Sequence, residues 1–179
     1  MSKNEIKKMI LAALFVAIGL VLPFFTGQIP QIGKMLSPMH IPVFLSGFVC
    51  GWQYGLLVGF ITPLLRSVLF GMPVLFPSAI GMAFELATYG LVTGLLYRLL
   101  PQKKASSVYL TLIVAMLLGR VVWGIASIIL YGIQGKAFTL ELFVAGGFIN
   151  AIPGIILHLI LVPAIVFALE KAGVMPDRS

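Results

Sequence analysis

The chain has 179 residues, of which 60% are hydrophobic and only 9% charged. Soluble domains carry about 25% charged residues, so an ordinary soluble fold is excluded. A β-barrel is excluded as well, because its strands alternate apolar with polar residues and here the apolar runs are continuous. The net charge of +7 would suit a nucleic-acid partner, but its placement along the chain reads instead as membrane topology.

In chain order, Lys3, Lys7 and Lys8 precede an apolar run from Met9 to Phe25. That run is long for a signal-peptide core and no small-x-small cleavage site follows, so it reads as a first membrane helix. Ala13 and Ala17 stand four apart on it, beside Ala12 and Gly19. This small-xxx-small pattern lets another helix approach closely, within the bundle or from a partner. Residues 24–40 then form a Gly- and Pro-containing segment with Gln28, Gln31, Lys34 and His40, longer than a plain connector needs.

The next apolar stretch, Ile41 to Met72, has 32 residues. As one helix it would be about 48 Å long against a hydrocarbon core of roughly 30 Å. Gly51-Trp52-Gln53-Tyr54-Gly55 supplies a turn with interfacial aromatics, so the stretch is expected to split there into two short helices. Gly71-Met72-Pro73 joins the third helix to the fourth, which starts near Pro77 and carries Glu85 and Tyr89 on one face. Arg98, Lys103 and Lys104 mark the next basic cluster. The fifth helix, Val108 to Ile133, presents Arg120, Trp123, Ser127 and Tyr131 on one face at i, i+3, i+7 and i+11. The sixth, Leu142 to Leu169, carries Gly146, Gly147, Asn150, Gly154 and His158 before Lys171 and Arg178.

Cytoplasmic ends hold the Lys/Arg excess. With the three basic clusters inside, the expected architecture is a single all-α membrane domain over residues 1–179, six transmembrane helices with both termini cytoplasmic. Lys34 and Lys136 then lie outside, and Arg66 and Arg120 lie within the membrane.

Ionisable groups inside a membrane cost several kcal/mol or more, which makes them functional candidates by default. At 1.5 Å per residue, Glu85 and Asn150 are expected about 12 Å below the outer surface, Arg66 about 8 Å and Arg120 about 20 Å. With His40 at the outer mouth, these groups converge on the outer half of the last four helices, where a pocket open to the outside would satisfy them. Plainer roles stay open. Glu85 and Arg120 would neutralise each other as an ion pair, Arg66 would snorkel to the interface, Asn150 would be interhelical glue, and Trp123 and Tyr131 would pack or anchor. His158 reads as a packing histidine, far in depth from His40.

Neither a Walker A sequence, an HExxH nor a GxSxG occurs: Gly135-Lys136 is followed by Ala137. Uphill transport would draw energy from elsewhere. A single cysteine, Cys50, forms no internal disulfide and no cysteine-based metal site. No cofactor, metal or catalytic residue is implied. An intramembrane enzyme would need a nucleophile–base pair or a metal cluster, and two separated histidines do not supply one.

Taken together, Ser37-Pro38-Met39-His40-Ile41-Pro42-Val43 opening the second helix, the Gly47–Gly59 region and Phe84-Glu85-Leu86-Ala87-Thr88-Tyr89-Gly90 resemble the substrate-binding S-components of energy-coupling factor (ECF) vitamin transporters. The resemblance covers nearly the whole chain. It implies a prokaryotic plasma-membrane protein that binds a vitamin from outside in a pocket of the fourth to sixth helices, gated by the outer segment 24–40. It implies delivery through a transmembrane coupling subunit driven by two ATPases, with Ala13 and Ala17 as the docking pattern. By resemblance the binding positions are Glu85, Tyr89, Asn150 and the fifth-helix face of Arg120, Trp123, Ser127 and Tyr131, and the depth reading adds His40 and Arg66. The cationic balance of Arg66 and Arg120 against Glu85 favours an anionic or zwitterionic vitamin, with pantothenate first. The competing function is a self-sufficient secondary transporter or channel, for which inverted repeats and broken helices would be expected; no convincing repeat is present.

Overall fold

A computed structural model describes residues 2–26, 35–100, 104–173 and 175. Gln28, Gln31 and Lys34 of the outer segment, and Lys103 and Arg178 of the basic clusters, lie outside the described residues. Among those described, all regular structure is helical.

Helix α1 runs Lys3–Val21 and continues as a 3-10 turn over Leu22–Thr26. Its start is set by a capping box: the Ser2 hydroxyl accepts from the Glu5 N–H and the Glu5 carboxylate accepts from the Ser2 N–H. Helix α2 is His40–Cys50, and each of its 11 residues is buried. Helix α3 is Trp52–Phe70 and α4 is Ile80–Leu99, entered through a wide turn at Leu75–Ala79. Helix α5 is Ala105–Ile133. Helix α6, Leu140–Gly147, and helix α7, Ile152–Lys171, are joined by a 3-10 turn at Ile149–Ala151.

The expected split of residues 41–72 is present, but the turn is a single residue. Gly51 alone takes φ 91°, a conformation that glycine accommodates without steric cost. Trp52 to Gly55 belong to the first turn of α3. Gly55 serves a different purpose there: a Cβ on it would lie 2.5 Å from the Gly90 carbonyl oxygen, so its absence lets the α3 and α4 backbones touch.

A continuous sixth helix was expected from Leu142 to Leu169. The backbone instead breaks at Phe148–Ala151, with Phe148 at φ −125°, ψ −62°. Pro153 explains the break: it lacks an N–H and its ring would clash with the carbonyl of Ile149 in a continuous helix.

Among the described residues, five segments are long and apolar enough to cross a bilayer: Lys3–Phe25, Trp52–Phe70, Leu75–Leu99, Ala105–Ile133 and Leu140–Lys171. The chain is therefore a multi-pass membrane protein. Large apolar side chains such as Ile10, Leu14, Val68, Ile125, Ile129 and Ile160 are exposed around the outside, where lipid would meet them. Helix α2 is shorter, about 16 Å at 1.5 Å per residue. It is enclosed by α1, α3, α4 and α7, so its length is set by its protein neighbours rather than by the lipid thickness. This central position brings its first residue, His40, against α4 and α7.

Candidate functional site

The polar groups gather around one carboxylate oxygen. Arg120 Nη1 lies 2.6 Å from Glu85 Oε1. Tyr89 donates its hydroxyl to the same oxygen at 2.7 Å, from one helical turn further along α4. His40 Nε2 stands 3.9 Å from it. All four side chains are enclosed, with exposures of 2% for Glu85, 1% for Tyr89, 3% for His40 and 9% for Arg120. Gly119 on α5 makes this possible, since any Cβ there would strike the Tyr89 ring. The Arg120 and Glu85 charges balance, as an ion pair removed from water must.

His40 sits in an aromatic box. Its ring stacks on His158 at 5.6 Å and 14°, and tilts against Tyr89 at 5.4 Å. Phe44 stacks on Tyr89 at 4.8 Å and meets His158 edge-on at 5.7 Å. Among the described residues, both nitrogens of His40 are buried without a hydrogen-bond partner. Buried polar groups are nearly always paired, so these two are the open valences of the cluster.

Two expectations are corrected here. His40 was expected at the outer mouth, and His158 far from it in depth; the structure stacks the two imidazoles. The cause is geometric. Residues 35–39 carry the chain into the bundle before α2 begins, and the break at Phe148–Ala151 restarts the last helix, leaving His158 about 9 Å along α7. The separation that argued against an enzyme is therefore absent.

The other expected residues fall in three places. Trp123, Ser127 and Tyr131 continue along α5 from Arg120. Ser127 is buried. Trp123 is half-buried, edge-on to Phe138 at 5.6 Å and stacked on Phe143 at 6.1 Å, while Tyr131 tilts against Phe138 at 5.3 Å. Gly81, Gly146 and Gly147 line the Trp123 indole, so this aromatic ladder closes against α4 and α6. Arg66 is engaged elsewhere. It donates from Nη1 to the Leu20 carbonyl at the end of α1, and its guanidinium lies 4.9 Å from the Phe24 ring and 5.4 Å from Phe70. Asn150 is exposed in the turn between α6 and α7.

On α1, Ala13 and Ala17 are exposed, whereas Ala12 and Gly19 are buried. Gly19 packs on Thr62 of α3. The small-residue set is thus divided between an outward and an inward face. A groove of about 570 Å³ between α1, α2 and α7 is lined by apolar side chains such as Leu14, Ile18, Leu45 and Leu161. It contains none of the expected site residues and offers a ligand's polar groups no partner.

Sequence reasoning gave His158 a packing role without its partner His40, and missed Phe44 and Gly119. Phe44 is one turn from His40 on α2, and His158 one turn from Gly154 on α7, so helical spacing carried a signal for both.

A family model described as ECF transporter, substrate-specific component, matches residues 7–166. This chain belongs to that family, whose members are transporter subunits. Neither a curated protein nor a solved structure gave a match.

Proposed function

We propose that this ECF substrate-specific component captures a vitamin or related small molecule from the outer side of the cell membrane at the cluster of Glu85, Arg120, Tyr89 and His40. It then hands the molecule to a transmembrane coupling subunit driven by two separate ATPase subunits. The observation that carries this reading is His40, whose two buried nitrogens make no hydrogen bond among the described residues, beside the enclosed ion pair of Glu85 and Arg120. A purely structural pair needs only Glu85 and Arg120. A third polar group, enclosed at 3.9 Å and lacking a hydrogen bond of its own, calls for a ligand.

The aromatic ladder of Trp123, Phe138 and Phe143 supplies apolar contact area beside these polar groups. Pantothenate remains the first candidate. Its carboxylate suits the rest of the Arg120 donor fork, and its hydroxyls and amide suit His40 and Glu85. The charge argument for it is narrower than the sequence suggested, because Arg66 is spent on the Leu20 carbonyl and Arg120 is already paired. The segment 24–40 is the proposed gate, and the exposed Ala13 and Ala17 are the proposed contact with the coupling subunit.

The direct test is extraction of small molecules from the purified protein, identified by mass spectrometry, followed by thermal-shift measurements with a panel of vitamins that includes pantothenate. A single vitamin-sized molecule that copurifies and stabilises the protein is the expected result. Empty protein that no member of the panel stabilises would contradict the proposal.

A further inference from the structure

Residues 35–39 lead into α2 along the side of α7. Ser37 takes φ 46°, in the left-handed region that non-glycine residues seldom occupy. Its carbonyl accepts from the His40 N–H at 3.0 Å and lies 3.2 Å from His158 Nε2. One turn earlier on the same face of α7, Gly154 meets the same segment. A Cβ on Gly154 would lie 2.6 Å from the Met35 carbonyl oxygen and 3.1 Å from that of Leu36. The imidazole of His158 also lies flat against His40, at 5.6 Å and 14°. One side chain therefore holds the carbonyl that opens α2 and supports the first side chain of α2.

We infer that Gly154 and His158 are positioning residues: they seat residues 35–39 on α7 and thereby fix where His40 stands beside Glu85. The inference rests on the proposed function only in taking that cluster as the ligand site. A packing histidine would be indifferent to which ring nitrogen carries its proton, and its neighbouring glycine would tolerate a methyl group. The seat makes both matter. A carbonyl only accepts, so Nε2 of His158 must carry a proton, and in the neutral ring Nδ1 is then bare. A methyl at Gly154 must push the Met35 carbonyl away and draw Ser37 from His158.

The chain has two histidines, so long-range proton–nitrogen NMR of ¹⁵N-histidine-labelled protein in detergent reads both rings without any ligand. His158→Gln assigns the signals by removing one of them. The expected wild-type result is a single His158 tautomer with the proton on Nε2. In Gly154→Ala, His158 is expected to lose that single-tautomer signature, and the His40 ring signals to shift as the stack opens. Gly132→Ala is the matched control, since a Cβ there meets nothing within 4 Å, and both rings should keep their wild-type signals. A His158 proton on Nδ1 in the wild type would overturn the inference, as would Gly154→Ala spectra that superimpose on wild type or equal shifts in Gly132→Ala. If Gly154→Ala does not fold, the wild-type tautomer alone decides. Because no ligand enters, failure here is distinct from failure of the proposed function.

Discussion

Arg120 and Glu85 meet at 2.6 Å with their side chains almost wholly enclosed, so each is the other's counter-ion inside the membrane-embedded helices. Removing one partner leaves the other buried and unpaired. Arg120→Ala is expected to destabilise the protein by about 3–5 kcal/mol. Adding Glu85→Gln should recover most of that loss, because the stranded charge is gone. Ligand binding should not recover with it, since the double mutant lacks the groups proposed to face the ligand. Unfolding and binding measured on both single mutants and the double mutant check this. A double mutant with restored stability and wild-type affinity would reduce the pair to a structural element.

Arg66 separates the structure from the charge count most clearly. It joins α3 to the end of α1 through the Leu20 carbonyl and two aromatic rings. Arg66→Ala is therefore expected to cost about 1.5–3 kcal/mol of stability, the range for a hydrogen bond from a charged donor. Ligand affinity should stay within about twofold of wild type, a change under half a kcal/mol. A much larger affinity loss in a protein of unchanged stability would return Arg66 to the site.

Much of this arrangement was legible in the sequence, and the exceptions have physical causes. Helical period placed Glu85 with Tyr89 on one face of α4 and Arg120 with Trp123, Ser127 and Tyr131 on one face of α5. The length of the 41–72 stretch required a break, expected over Gly51–Gly55 and found at Gly51 alone. Period gives faces but not depth, however. The inward run of residues 35–39 and the break before Pro153 together move His40 and His158 to one level, and neither displacement follows from hydropathy. Pro153 and the Gly146-Gly147 pair were visible, yet each is tolerated within membrane helices and so is ambiguous alone. The Arg66 partner is a main-chain carbonyl on another helix, which no side-chain pattern displays.

Helix α1 offers a test of the division of labour. Ala13 and Ala17 face outward, and larger residues there should obstruct close approach of a partner helix. Ala13→Leu with Ala17→Leu is expected to lower uptake by the assembled transporter while ligand affinity of the isolated chain stays at the wild-type level. Equal losses in uptake and affinity would show that this face serves the bundle.

Topology follows from the basic clusters. Single cysteines at Ser106, exposed in the first turn of α5, and at Thr139, exposed beyond its end, should be labelled by membrane-impermeant reagents from opposite sides, in a Cys50→Ser background. Ser106 should react from the cytoplasmic side. Labelling of both from one side would break the proposed six-pass arrangement with cytoplasmic termini.

The most direct measurement is the affinity and stability of His40→Phe, using the ligand identified from the purified protein. Phenylalanine keeps a ring to stack on His158 and removes two buried nitrogens that lack hydrogen-bond partners. Deleting such groups should leave stability unchanged or raise it. If the nitrogens serve the ligand, affinity should fall by about tenfold or more, equivalent to about 1.4 kcal/mol. A stable His40→Phe protein that binds its ligand as tightly as wild type would contradict the assignment of this cluster as the binding site.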